Sequence, residues 1–294
     1  VRPGFESQAR AEMRYEEELH TMFRRLITRK LVILLTCFAA VAALTLPAAT
    51  RTSKADDLSG MELMQVTRVA QGGAEYAGLQ YLTARSQGFV NAAPFAAVGL
   101  GAGGAGAVIT GQVEVRVNVT DYQDREIRRR LDVSPAGGMV AGPTFLVYTG
   151  TEGGGMFMGN VFRVSEIAAS RQWAMMGFAT LNRAADGNLP ALRQRDEMYN
   201  GQQQYVVEVK FNPTDTVRFW INKRTFLTTR VVTRYNSRVL VEEERSDYRK
   251  VSCMMLPFRV VTKLNGQRLA DLTIDSYDIQ TVVPSARFTM VAAQ

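Results

Sequence analysis

From Tyr205 to Ile279 the chain repeats one pattern: short runs of alternating apolar and polar residues, separated by turn chemistry. A period of two, rich in β-branched and aromatic residues, is the signature of half-buried strands. Tyr205, Val207, Val209 and Phe211 share one face, with Glu208 and Lys210 on the other. Asn212-Pro213-Thr214-Asp215 breaks that run, and strands follow over Val217–Ile221, Thr228–Tyr235, Val239–Tyr248, Pro257–Leu264 and Leu269–Ile279. Pro257 is assigned to the first position of its strand, where a missing N–H is tolerated. Asn265-Gly266 reads as a two-residue type I′ hairpin, because that turn needs positive φ at both positions; Asn236-Ser237 reads as a second short hairpin loop. Six strands with short links predict a meandering antiparallel sheet.

The N-terminal quarter has a different character. Met22 to Lys30 is basic, Leu31 to Leu46 is apolar, and small residues follow as far as Ala55. This is the layout of a secretory signal peptide, with Met22 as the start and residues 1–55 outside the folded part. The competing reading is a retained inner-membrane anchor, but a largely apolar run of 16 residues falls short of the roughly 20 needed to span a bilayer. The chain carries 35 Lys/Arg and 28 Asp/Glu, of which nine and five fall in residues 1–55, so residues 56–294 carry a net charge of only +3. A pI inflated by an export signal is poor evidence for nucleic-acid binding.

Export would also remove the single histidine, His20, and one of two cysteines, Cys37, leaving Cys253 without a partner in the same chain. Without histidine, Ser-His-Asp and Cys-His catalysis and a His-bearing zinc site are excluded. No serine occupies a G-x-S-x-G elbow. Residues 56–294 are expected to form one domain with no cofactor, metal site or catalytic residue.

Between these two regions the pattern is less regular. Asp57–Ala70 carries apolar residues at helical spacing; Ser59 and Glu62 have the capping-box separation, and Gly72-Gly73 stands where a helix ends. Its role is to pack on the sheet. Gly78–Val90 reads as a strand. Asn91–Gln112 has no charge, and Gly99–Gly106 contains G-x-G-x-x-G. A dinucleotide site needs a helix directly after that motif, whereas Val108–Thr120 alternates as a strand, so the glycines are read as a loop or flap. Asp121–Asp124 is a turn, followed by Arg125, Arg128, Arg129 and Arg130, which read as a salt-bridged strand face rather than a headgroup site. Ala136–Gly159 suggests one strand among loops, Val164–Leu181 a helix, and Asn182–Gly201 a polar loop. Glu242, Glu243 and Glu244 are consecutive, so at most Glu242 and Glu244 converge on one strand face.

Methionines and aromatics stand out in what remains. Methionine adapts to irregular apolar ligands, and a lipid site needs a concave apolar pocket with few polar groups. Met156, Met158, Trp173, Met176, Phe219, Trp220 and Phe258 are the candidate lining, with ordinary core packing as the alternative for each.

Tyr205-Val-Val-Glu-Val209, Val217–Asn222, Thr225-Phe-Leu227, the long strand ending Ser246-Asp247-Tyr248-Arg249, Leu256-Pro257-Phe258 and Asn265-Gly266 together resemble the outer-membrane lipoprotein carrier (LolA/LolB-like) superfamily. The resemblance is strongest over about residues 200–290. It implies an α+β, mainly antiparallel β fold: a strongly curved, incomplete β-barrel with helices covering its concave face over an apolar cavity. It further implies periplasmic, non-enzymatic binding or transport of lipid or acylated lipoprotein, with only transient membrane contact. A protein-interaction or stress-sensor module on the same fold is the alternative. The helix near Leu58–Val69 and the Asn91–Gln112 loop would cover the site.

Overall fold

Asn265 and Gly266 adopt φ of 48° and 80°, and Asn236 and Ser237 adopt 49° and 57°. Both hairpins therefore have the left-handed backbone that their turn chemistry demands. The structure is a computed structural model that describes residues 57–91, 108–121, 126–135, 144–149, 153–157, 160–164, 177–237 and 239–289. The expected signal segment, the glycine-rich run up to 107, the turn at 122–125 and three candidate lining residues (Met158, Trp173, Met176) lie outside them. Leu58–Gln294 forms one compact unit.

Its elements are α1 (Gly60–Gln71), α2 (Gly73–Ala77), β1 (Tyr81–Asn91), β2 (Val108–Asp121), β3 (Glu126–Pro135), β4 (Thr144–Thr149), β5 (Gly153–Phe157), β6 (Asn160–Val164), α3 (Gly177–Ala185), β7 (Ala191–Arg193), β8 (Glu197–Tyr199), β9 (Gln202–Lys210), β10 (Thr216–Asn222), β11 (Thr228–Tyr235), β12 (Val239–Val251), β13 (Met254–Leu264) and β14 (Gln267–Ile279), ending in a 3-10 turn at Ser285–Phe288. All strands join one 14-stranded sheet in the order β6-β5-β4-β3-β2-β1-β14-β13-β12-β11-β10-β9-β7, with β8 beside β9. Every pairing is antiparallel. The two chain-order halves of the sheet meet where β1 pairs with β14.

The sheet is strongly curved and unclosed. In the strand order, Tyr148 on β4 and Tyr235 on β11 stand seven spacings apart. A flat sheet would separate them by about 34 Å, yet they interact electrostatically. Glu243 on β12 and Arg129 on β3, about 24 Å apart if the sheet were flat, interact as well. Only a sheet curled towards that face brings these pairs together, which makes it the concave face.

Helix α1 begins with the predicted capping box: the Ser59 side chain accepts from the Glu62 N–H, and the Glu62 carboxylate accepts from the Ser59 N–H at 2.8 Å. It packs against α3, and Leu63 and Met64 are fully buried. A Cβ on Gly60 would lie 2.4 Å from the Ala191 carbonyl oxygen, so α1 can approach β7 this closely only with glycine there.

Three expectations are corrected. The polar stretch after Leu181 continues as α3 to Ala185, with Asn182 fully buried. Packing against α1 overrides its polarity. Ala136–Gly159 holds two strands, since Gly153-Gly154-Gly155 forms part of β5. A Cβ on Gly155 would lie 2.0 Å from the Phe145 carbonyl oxygen, so the glycines permit a strand that propensity argues against. Pro257 lies inside β13, opposite Tyr248. The β13–β14 ladder begins only at Arg259, so one edge of the strand is open where proline lacks its donor.

Candidate functional site

Cross-strand partners point to the same face of a sheet, so the registers assign each strand residue to one side. Val207, Phe219, Val231, Glu243 and Thr262 form one row on the concave face. Val260, Leu272 and Gly88 form another, and Val115, Leu131 and Leu146 a third.

Coverage along this face is uneven. At the β7–β11 end, α1 and α3 lie directly on it. Gln71 donates to the Thr228 hydroxyl at 2.9 Å, and Gly177 sits against Val231. Val207, Val209, Val217, Phe219 and Ile221 are consequently fully buried. Beyond β11 the apolar residues Val241, Val260 and Tyr277 on β12–β14 and Val115, Leu131 and Leu146 on β2–β4 remain only half-buried. Val115, Leu131 and Tyr277 among them border a packed cluster of Ala84, Val90, Val113, Val133, Phe258 and Leu272.

A charged group interrupts the apolar surface near its middle. The Arg245 guanidinium donates to one Glu243 carboxylate oxygen through both Nε, at 3.0 Å, and Nη2. Above it, Tyr76 of α2 meets Phe178 of α3 edge-on, with ring centroids 5.0 Å apart. Burial opposes the Glu243 charge, but Arg245, by charge and hydrogen bond, and Arg129 outweigh it and hold the carboxyl below its ordinary range. Burial likewise opposes the Arg245 charge, and Glu243 reverses the balance to leave its pKa raised. Desolvation raises the pKa of Tyr76, Tyr235 and Tyr277, and pushes Tyr248 up to about 12, so these phenols remain neutral hydrogen-bonding groups. The Glu243 side chain still retains 30% of its accessible surface. It therefore borders open space within the curve as well as packed atoms.

The convex face carries the alternate residues of the same strands. Glu242 and Glu244 both reach Lys263, at 3.3 and 2.5 Å, and Glu242 also pairs with Arg230. Asp271 joins Arg259 and Arg268, and Asp132 joins Arg116 and Arg130. Glu242 and Glu244 do converge, on a lysine. Among the described residues no cluster of three side chains could hold a metal.

The four candidate lining residues that are described, Met156, Phe219, Trp220 and Phe258, are not brought together. Phe219 is fully buried on the concave face beneath the helices, and Phe258 belongs to the packed concave cluster. Trp220 points to the convex side, where its indole N–H donates to Glu197 at 2.8 Å. Met156 also lies on the convex side, against Phe145, Val147, Val283 and Phe288 beside the C-terminal turn. Consecutive strand residues face opposite ways, so Phe219 and Trp220 cannot line one pocket. Cys253 is disulfide-bonded, which corrects the expectation of an unpartnered cysteine. Sequence reasoning also missed Glu243, Arg245 and Arg129 as concave residues. The period-two pattern separated Glu243 from its neighbours but could not say which face was inner.

A recess of about 530 Å³ opens beside Tyr199, Gln204, Asn222, Thr229, Arg245 and Tyr248. Most of its lining residues are polar, and several of their groups already bond to one another, as Thr229 does to Gln204 at 2.9 Å. It is not the apolar cavity expected from the sequence.

No known protein-family model matches the chain, and no curated protein matches it in sequence. Among solved structures, the chain is similar to a LolA superfamily protein from Nitrosomonas europaea, at 14% identity and a TM-score of 0.49, over 79% of this chain and 98% of that one. It is also similar to a domain from Vibrio parahaemolyticus provisionally described as an outer membrane lipoprotein-sorting protein, at 11% identity and a TM-score of 0.46 over 78% and 95%. A DUF1329 family protein from Desulfovibrio piger gives 14% identity and a TM-score of 0.44 over 78% and 95%. Likenesses of this order say nothing about ligand or activity. Among the described residues, no helix is long and apolar enough to cross a membrane.

Proposed function

We propose that this is an exported, periplasmic, non-enzymatic protein that binds an acyl chain, of a lipid or an acylated lipoprotein, against the concave face of its sheet. One observation carries the reading: the apolar concave surface is sealed by α1 and α3 at one end and left half-covered at Val115, Leu131, Leu146, Val241, Val260 and Tyr277. Fully exposing or burying an aliphatic side chain of this size changes the free energy by about 1.5–3 kcal/mol. Half-covered aliphatic residues on an inner surface, with Val115, Leu131 and Leu146 in one cross-strand row, therefore favour an apolar guest, and the curvature encloses a chain better than it would a flat partner. The basic and then apolar segment at Met22–Leu46 supports export.

The test is mass spectrometry of protein purified gently and without detergent from its host. Acyl-bearing lipid is expected to leave with the protein and to be absent after denaturing extraction. Protein that carries no lipid, and takes none up from vesicles, would overturn the reading.

A further inference from the structure

Among the arginines of β2 and β3 that the ladder brings together, Arg129 is set apart. Arg116 and Arg130, on the convex face, each hold Asp132. Arg129 is paired in register with Val117 and Tyr148, which puts it on the concave face. There it is half-buried and, among the described residues, forms no hydrogen bond or ion pair. Among the groups it interacts with are Glu243 of β12 and the phenol of Tyr235 of β11. Glu243 is already neutralised by the two hydrogen bonds from Arg245. Within this group of three, two guanidinium groups and one carboxylate leave one positive charge in excess.

Removing a cation from water without a partner is costly, and a guanidinium recovers most when it meets a planar or multidentate oxyanion. Arg129 lies on the same face as half-buried Leu131, Val115 and Leu146. One end of a ligand can therefore meet the charge while its chain follows the apolar row.

We infer that Arg129 is the anion-recognition point of the concave site, and that the ligand is an anionic amphiphile whose carboxylate or phosphate docks beside the Glu243–Arg245 pair. This rests on the acyl-binding reading above. A neutral acyl lipid would leave Arg129 uncompensated, and a purely polar anion would leave the aliphatic row uncovered.

The test compares two ligand pairs, each differing in one anionic group, by displacement of an apolar fluorescent probe from the full chain. One pair is palmitate and its methyl ester; the other is lysophosphatidic acid and a monoacylglycerol of the same chain length. In at least one pair the anionic member is expected to bind tenfold or more tightly than its neutral partner. A preference confined to one pair identifies a carboxylate or a phosphate source. Arg129→Gln is expected to abolish the preference while neutral binding stays within about twofold, and Arg129→Lys to retain part of it. Equal binding within both wild-type pairs overturns the inference and leaves acyl binding standing, as does a preference that survives in Arg129→Gln. Failure of every amphiphile to displace the probe overturns both. Should Arg129→Gln not fold, the wild-type preferences still decide.

Discussion

The concave and convex faces are built from alternate residues of the same strands, yet they use charge in opposite ways. On β12, Glu242 and Glu244 look outward and share Lys263, while Glu243 between them looks inward to Arg245. The outer face carries rows of half-buried ion pairs, several of them sharing a partner. Among the described residues the inner face carries the Glu243–Arg245 ion pair, Arg129 nearby and an aliphatic surface. A charge is inexpensive where water screens it. Inside the curve it requires a partner, so the few that occur there bear on stability and recognition together.

The largest break in this comparison should come from the sealed end of the inner face. Phe219→Ala removes a fully buried ring from beneath the helices, and denaturant melts should show a loss of about 3–5 kcal/mol. A loss below about 1 kcal/mol would mean that α1 and α3 do not seal this surface as described.

The inner ion pair comes next. Glu243→Gln should cost about 2 kcal/mol at neutral pH, intermediate between exposed and fully buried pairs, because it leaves Arg245 uncompensated. Its pH dependence gives a sharper signature. The folded-state pKa of Glu243 is lowered, so its stabilisation is complete above the unfolded carboxyl pKa of about 4.3 and is lost as pH falls through the folded value. The gap between wild type and Glu243→Gln should therefore narrow as pH drops below about 4.3. A gap unchanged in acid would contradict the placement of Glu243 in the ion pair.

The outer face should give the smallest effect. Lys263→Ala, which removes the shared partner of Glu242 and Glu244, is expected to cost about 1 kcal/mol or less, and the cost should shrink at high salt. Comparison with Glu243→Gln in the same buffers separates the two faces directly.

How much of this was legible beforehand follows from the kind of interaction involved. Asn265-Gly266 announced its hairpin because the turn is decided by the φ preferences of two residues, and Ser59 with Glu62 announced α1 because a capping box spans a single turn. The β5 strand was hidden because its glycines are tolerated only by close contact with β4. Asn182 read as loop because its burial depends on α1, over a hundred residues earlier. The candidate site fared worse. Met156 and Trp220 were chosen for their chemistry, and both face outward.

By itself the sequence determined the antiparallel series, its turns and the separation of each strand into two faces, since all of these follow from local dihedral preferences and a period of two. Only the tertiary structure decided which face was inner. Curvature is a collective property of many strands, and it is what brings Arg129 of β3 within reach of Glu243 on β12. A polar residue inside a curled sheet and one outside it carry the same local pattern. The difference lies in what the far side of the sheet brings to meet them.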